Sequence, residues 1–390
     1  MPGTHALLSP SGAKKWLACP GSVEMEMHIP EKPSTYANEG TTAHALAELK
    51  INHALKRIAN VAYGKKKKAL NADHDMETYT DEYRDYVMEL WESASAADAD
   101  AEIYVEKKLN LSEWVPEGFG TGDVVIVMKG YLHIVDLKYG QGVKVEAEDN
   151  PQLKLYALGA LAEQDFLYDI TTVLATIYQP RLDHIATAVY TADYLREWGE
   201  KTVRPQAEKA YQGITEYSCG KHCDDGFCKA RPVCKAYADN KLDIARYEFR
   251  HPNLLTEEEI SDILDRTDSI VKWATLVKDY ALDQAVSCGT KFPGYKIVEG
   301  RSNRTWAESE EVIGAEIEKL GFDKDVIMPR KLLTITGIEK LLGKKKFKDE
   351  IEKYTVKPQG KPTLVPESDK RPEFNSAAED FKEDLKEEDK

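Results

Sequence analysis

Long apolar runs are missing from this 390-residue chain. None approaches the roughly 20 consecutive apolar residues of a membrane-spanning helix, so no membrane partner is expected. The opening MPGTHALLSPSG has no basic region followed by an apolar stretch. The expectation is therefore a protein without a secretion signal, in the cytoplasm. Positive charge is in deficit too. A formal net charge of −15 argues against a protein that coats nucleic acid, because such binding rests on Lys and Arg neutralising phosphates. It leaves room for an enzyme with a local basic groove and for a metal site, which needs carboxylates. No internal repeat is present. What the chain does have, 42% hydrophobic and 31% charged residues, suffices for the core of one large domain or two ordinary ones.

Cysteine is scarce outside one stretch. Cys219, Cys223, Cys228 and Cys234 fall in SCGKHCDDGFCKARPVC, while Cys19 and Cys288 stand alone. In a long chain without a signal this favours a metal or cluster over disulfides. The C-x3-C-x4-C-x5-C spacing is looser than the C-x2-C pairs of a zinc knuckle. Zinc on those four cysteines, a cluster and free thiols all stay open on spacing alone. Cys288, on a long helical pattern, reads as a small core residue.

Hydrophobic periodicity orders the rest. SPSGAKKWLACPGS predicts a short helix capped by Ser9 or Ser11 and ended by Pro20. Residues 39–59 and 76–98 read as amphipathic helices, with GKKKK at 64–68 a basic loop between them. Strands follow at 102–111, 122–130 and 131–140, the last two joined by a tight turn at Lys129–Gly130. Residues 150–164 predict a helix capped by Asn150 with Pro151 at its first position. Strands at 169–181 and 186–193 and a helix over 194–212 complete an α/β pattern: a small mixed central sheet flanked by helices. Beyond about residue 240 the chain reads as a mainly helical extension, with a long helix over 255–289, a strand and basic turn at 294–306, short helices to 355, and an acidic tail at 376–390.

The stretch IVDLKYG, residues 134–140, places charge where a strand should be apolar. A hairpin turning at Lys129–Gly130 sets Asp123 opposite Asp136, roughly 5.5 Å apart at Cα with side chains on one face. The two-residue period adds Lys138 to that face and turns Leu137 away. Two facing carboxylates need compensation, and a hard divalent cation supplies it. A lysine beside such an ion can orient a water or stabilise charge on phosphate. The bland alternative is a turn aspartate and an exposed ion pair. Gln152 and Tyr156 lie one helical turn apart on the following helix, and His44 lies on the helix before the sheet. Glu39 and Glu48 flank His44, at least one of them as a solvated side chain.

The ordered set of His44, GTGD with Asp123, VDLK with Asp136 and Lys138, and Gln152 with Tyr156 resembles the RecB-like branch of the PD-(D/E)XK nuclease superfamily, over roughly residues 9–235. The resemblance implies a restriction-endonuclease-like core in residues 1–240, an α-rich accessory domain in 241–375, and a Mg²⁺- or Mn²⁺-dependent deoxyribonuclease. It implies that Asp123, Asp136 and the Leu137 backbone carbonyl hold the metal with help from His44. Lys138 would be the catalytic lysine, and Gln152 and Tyr156 would position the DNA strand. Some RecB-like nucleases carry a [4Fe–4S] cluster on one cysteine before the nuclease motifs and three after. Cys19, Cys223, Cys228 and Cys234 match that arrangement, and four thiolates are what a cubane requires. The family triplet is usually C-x2-C-x5-C. The wider first gap here leaves Cys219 as an alternative ligand.

Arg301, Arg304 and Trp306 in GYKIVEGRSNRTW are suited to meet phosphates and stack a base; the alternative is a basic turn with a core tryptophan. Together with TLVPESDKRP, the chain resembles phage- and prophage-encoded exonucleases, which implies processing of DNA ends beside a single-strand annealing protein in the bacterial host cytoplasm. An oligomer is compatible with the sequence, which does not demand one. Two readings of other classes stand beside the nuclease: a non-catalytic DNA-binding or assembly protein, and a zinc-stabilised interaction module.

Overall fold

A computed structural model describes residues 6–29, 35–243, 255–298, 309–319 and 334–355. The chain divides into two compact units, residues 1–284 and 285–390, where the sequence placed a boundary near 240. Among the described residues no helix is long and apolar enough to cross a membrane.

The first unit is built on a five-stranded sheet in the order β1 (Glu102–Asn110), β2 (Phe119–Met128), β3 (Tyr131–Leu137), β4 (Thr172–Gln179) and β5 (His184–Thr191). All neighbours are antiparallel except β3 and β4. That parallel pair needs a crossover, which α6 (Pro151–Tyr168) provides. Asn150 caps α6 by accepting from the amides of Gln152 and Leu153, with Pro151 at the first position. Nearly every residue of α6 between Leu153 and Leu161 is buried. It packs on the sheet face that carries Val125, Val127, Leu132 and Ile134. The opposite face, with Val124, Ile126, Val135 and Leu137, is covered by α3 (Thr35–Ala54) and α5 (His74–Ala97) through Ala47, Ile51, Tyr83 and Val87. Helix, sheet and helix make three layers, as the alternating pattern predicts.

Three sequence expectations are corrected. GKKKK lies inside a helix, α4 (Asn60–Leu70), rather than in a loop. Lys67 pairs with Glu77 at 3.0 Å and His53 stacks on Tyr63 at 4.0 Å, contacts that hold a helix whose own residues bury nothing. Residues 295–298 form no strand, and the rest of that motif, with Arg301, Arg304 and Trp306, lies outside the described residues, as does the acidic tail. Cys288 is exposed rather than in a core, because it falls just past the end of α11 (Glu257–Ser287).

In the second unit the described helices are Glu310–Lys319, Ile335–Leu342 and Lys344–Glu350. Thr334 caps the second of these by accepting from the Gly337 amide.

Candidate active site and cysteine site

The β2–β3 register pairs Val124 with Val135, so Asp123 and Asp136 meet where the hairpin arithmetic puts them. The Leu137 amide donates to Asp123 Oδ2 at 2.7 Å, which fixes the orientation of that carboxylate. Asp136 is 2% exposed, so the surface ion-pair alternative fails. Lys138 Nζ lies 2.9 Å from Asp136 Oδ2 and donates to Gln152 Oε1 at 2.8 Å. Gln152 in turn donates to Asp136 Oδ1 at 3.3 Å and to the Tyr156 hydroxyl at 3.0 Å. Both ends of Gln152 are thus engaged inside the protein. Burial raises the Asp136 carboxyl pKa, and the Lys138 ammonium opposes the rise.

His44 reaches the same place from α3, with Nδ1 3.2 Å from Asp123 Oδ1. Burial works against its charge, but the Asp123 contact and the charges of Asp123, Asp136 and Glu106 push its pKa up to about 9. The residue that sequence reasoning missed is Glu106. In EIYVEKKLN it reads as one more solvated charge. In the fold it has φ +50°, the left-handed region that side chains rarely adopt. The ladder breaks between its flanking pairs, Val105–Val124 and Lys107–Gly122. The kink changes the faces of the ribbon: Ile103 packs under α3 and α5, whereas Leu109 and Leu111 pack under α6. Glu106 is thereby aimed at Asp123. Burial and then the Asp123 charge push its carboxyl up to about 7, with His44 opposing.

Among the described residues, His44, Glu106 and Asp123 form the one trio of potential metal ligands whose donor atoms all lie within 4.8 Å of one another. Asp136 stands apart from that trio, and its buried Oδ2 accepts no well-aligned hydrogen bond despite the nearby ammonium. An imidazole, two clustered carboxylates and a third with an unused lone pair fit a hard divalent cation. A cleft of about 580 Å³ opens over His44, Glu106 and Asp123, walled by Pro10, Ser11, Gly40, Glu48 and Tyr156. Gly120 makes its floor possible: a Cβ there would lie 2.6 Å from Pro10 and 2.8 Å from Tyr156. Of the glutamates flanking His44, Glu39 is held by Arg181 at 2.9 Å, and Glu48 is exposed.

Cys19, Cys223, Cys228 and Cys234 line one small cavity, of about 10 Å³, although more than two hundred positions separate the first from the rest. Hydrogen bonds lace the two segments together. The Gly21 amide donates to Glu216 O at 3.0 Å, Ser218 Oγ to Ala18 O at 2.5 Å, and the Ser218 amide to Cys19 Sγ at 3.5 Å. Cys219 adjoins Cys223 but does not line the cavity. Burial pushes the Cys228 thiol up to about 12 and the Cys219 thiol up to about 11. These are protonated, inert thiols unless a metal draws off the proton.

A five-stranded mixed sheet between helix layers, with a carboxylate-rich cleft at its edge, defines an α/β protein with a candidate cation site. The chain belongs to the family described as "Protein of unknown function (DUF2800)", whose model matches residues 5–372. Among solved structures, one titled "Crystal structure of SSO0001" is similar at 15% sequence identity, over 56% of this chain and 95% of that chain. Its TM-score of 0.23 is too low to carry an argument.

Proposed function

We propose that the protein is a metal-dependent deoxyribonuclease of the RecB-like PD-(D/E)XK type, acting at DNA ends in phage recombination or repair. The observation that carries the reading is the convergence of His44, Glu106 and Asp123 beside the buried Asp136–Lys138 pair. Asp123, Glu106, Asp136 and His44, with the Leu137 carbonyl, are the residues that would hold Mg²⁺ or Mn²⁺. Such an ion supplies Lewis acidity toward a phosphate oxygen and lowers the pKa of water. Lys138, kept cationic by Asp136 against its burial, offers a fixed positive charge to the phosphate. Gln152 fixes the Lys138 and Asp136 side chains at once, and Tyr156 walls the cleft.

The cysteine site would hold a [4Fe–4S] cluster on Cys19, Cys223, Cys228 and Cys234. Cubane ligation by those four thiolates follows the resemblance, and zinc on Cys219, Cys223, Cys228 and Cys234 stands beside it as the alternative. A single-strand annealing protein is the proposed partner, on resemblance alone, and an oligomer is compatible with this reading.

The test is incubation of anaerobically purified protein with end-labelled linear DNA and Mg²⁺ or Mn²⁺, beside an Asp136→Ala variant. The expected result is metal-dependent degradation that vanishes in the variant. A folded, cluster-bearing protein that degrades neither duplex nor single strands overturns the catalytic reading and favours a binding or assembly role.

A further inference from the structure

The β1–β2 ribbon runs on past the kink at Glu106 and Asp123 to Asn110 and Phe119. Phe119 and Thr121 line the cleft. Lys108 lies opposite Thr121 in the ladder and sets its Nζ 4.5 Å from the centre of the Phe119 ring. The adjacent lysine has a different fate: Lys107 points to the α6 side and pairs with Glu163 at 3.1 Å. Lys108 is exposed, and no carboxylate pairs with it among the described residues. Among the described residues the cleft lining contains Glu48, Glu106, Asp123 and His44 and no lysine or arginine. A polyanion reaching this rim meets an ammonium that lies over a half-buried aromatic ring and has no carboxylate partner among the described residues.

We infer that Lys108 and Phe119 form a nucleotide subsite of the cleft, in which the ring stacks on a nucleobase and the ammonium meets the adjoining phosphate. The inference rests on the nuclease reading and adds a substrate class to it: unpaired DNA, as a single strand or a frayed end. A base offers its π-face only when it is unstacked, and stacking tolerates any base. The kink that aims Glu106 at Asp123 also turns this part of the ribbon toward the cleft, so one distortion serves both the cation site and the subsite.

Fluorescence anisotropy with a fluorescein-labelled oligothymidylate and a blunt duplex, in Ca²⁺ and over a salt series, tests it. Phe119→Leu keeps the apolar bulk and should weaken single-strand binding roughly 5- to 100-fold, the loss of one stacked base, while Phe119→Tyr retains affinity. Lys108→Ala, at an exposed position, should flatten the log–log salt dependence by about 0.7. Duplex affinity should change little in Phe119→Leu. Equal single-strand affinity in Phe119→Leu with an unchanged slope in Lys108→Ala removes the subsite and leaves the nuclease reading standing. An equal loss on duplex overturns the single-strand assignment. A wild-type protein that binds neither DNA overturns subsite and nuclease together.

Discussion

The carboxylate cleft and the cysteine site are assembled by different physics. The cleft takes its groups from β1, β2, β3, α3 and α6, and backbone ladders set their spacing. Asp123 and Asp136 would stay opposite each other with nothing bound, because the hairpin holds them. The cysteine site gathers short helices and loops, α1 (Ala13–Trp16), α9 (Lys221–Asp225) and α10 (Lys235–Leu242), around a cavity with little room. A few hydrogen bonds and the Lys15–Glu26 pair at 2.6 Å close it. A site written into a sheet is expected to lose chemistry without losing structure. A site that joins two distant segments is expected to do the reverse.

That contrast can be broken at several points. The largest effect is expected from Glu106→Gln, which should slow DNA hydrolysis roughly 10³-fold, the scale of losing one preorganised electrostatic group. Its urea midpoint should match wild type, and a large fall in stability would mean that Glu106 is structural. On the proposed cluster reading, Cys19→Ser should remove iron and visible charge-transfer absorption. It should also cost roughly 2–4 kcal/mol of stability, the usual measured scale of losing a cross-link. Cys219→Ser should keep both iron and stability, and iron loss in that variant would reassign the ligand.

A third prediction concerns the sheet on the α5 side, away from both sites. Burial lowers the His133 pKa from 6.5 to about 4, and the ring pairs with Thr176 Oγ1 at 2.8 Å, which in turn meets Thr187 at 2.8 Å. The unfolded chain binds this proton below about pH 6.5 and the folded chain only near pH 4. Stability is therefore complete above pH 6.5 and falls by about 3 kcal/mol as the pH drops to 4. Urea midpoints across that window should show the fall in wild type and a flatter profile in His133→Gln. The smallest effect is expected at Arg181. Arg181 stacks 4.9 Å over Tyr139 and pairs with the half-buried Glu39. Screening leaves Arg181→Ala a cost of about 1 kcal/mol or less, measurable by thermal unfolding, with cysteine-site absorption unchanged.

Much of the cleft was legible because its central pair is local. A tight turn at Lys129–Gly130 and the two-residue strand period place Asp123, Asp136 and Lys138 on one face without reference to the rest of the fold. Asn150 and Pro151 likewise start α6 where their own backbone chemistry dictates, which puts Gln152 and Tyr156 on its first turns. Glu106 was not legible. Its role depends on a left-handed residue inside a strand, and no side-chain pattern announces that conformation. The helix at 60–70 was misread for a related reason: its lysines find partners on α5 rather than on their own neighbours.

By itself, then, the sequence determined the strand and helix periods, the hairpin register and the clustering of cysteines after the sheet, all set by interactions within a few residues. Only the tertiary structure decided that Asp136 is buried and that Glu106 joins His44 and Asp123, and it brings together Cys19, Cys223, Cys228 and Cys234, a set the resemblance had named but no local pattern specifies. Those outcomes depend on which layers cover the sheet and how distant segments pack, and contacts across long stretches of chain leave no periodic trace in the residues that make them.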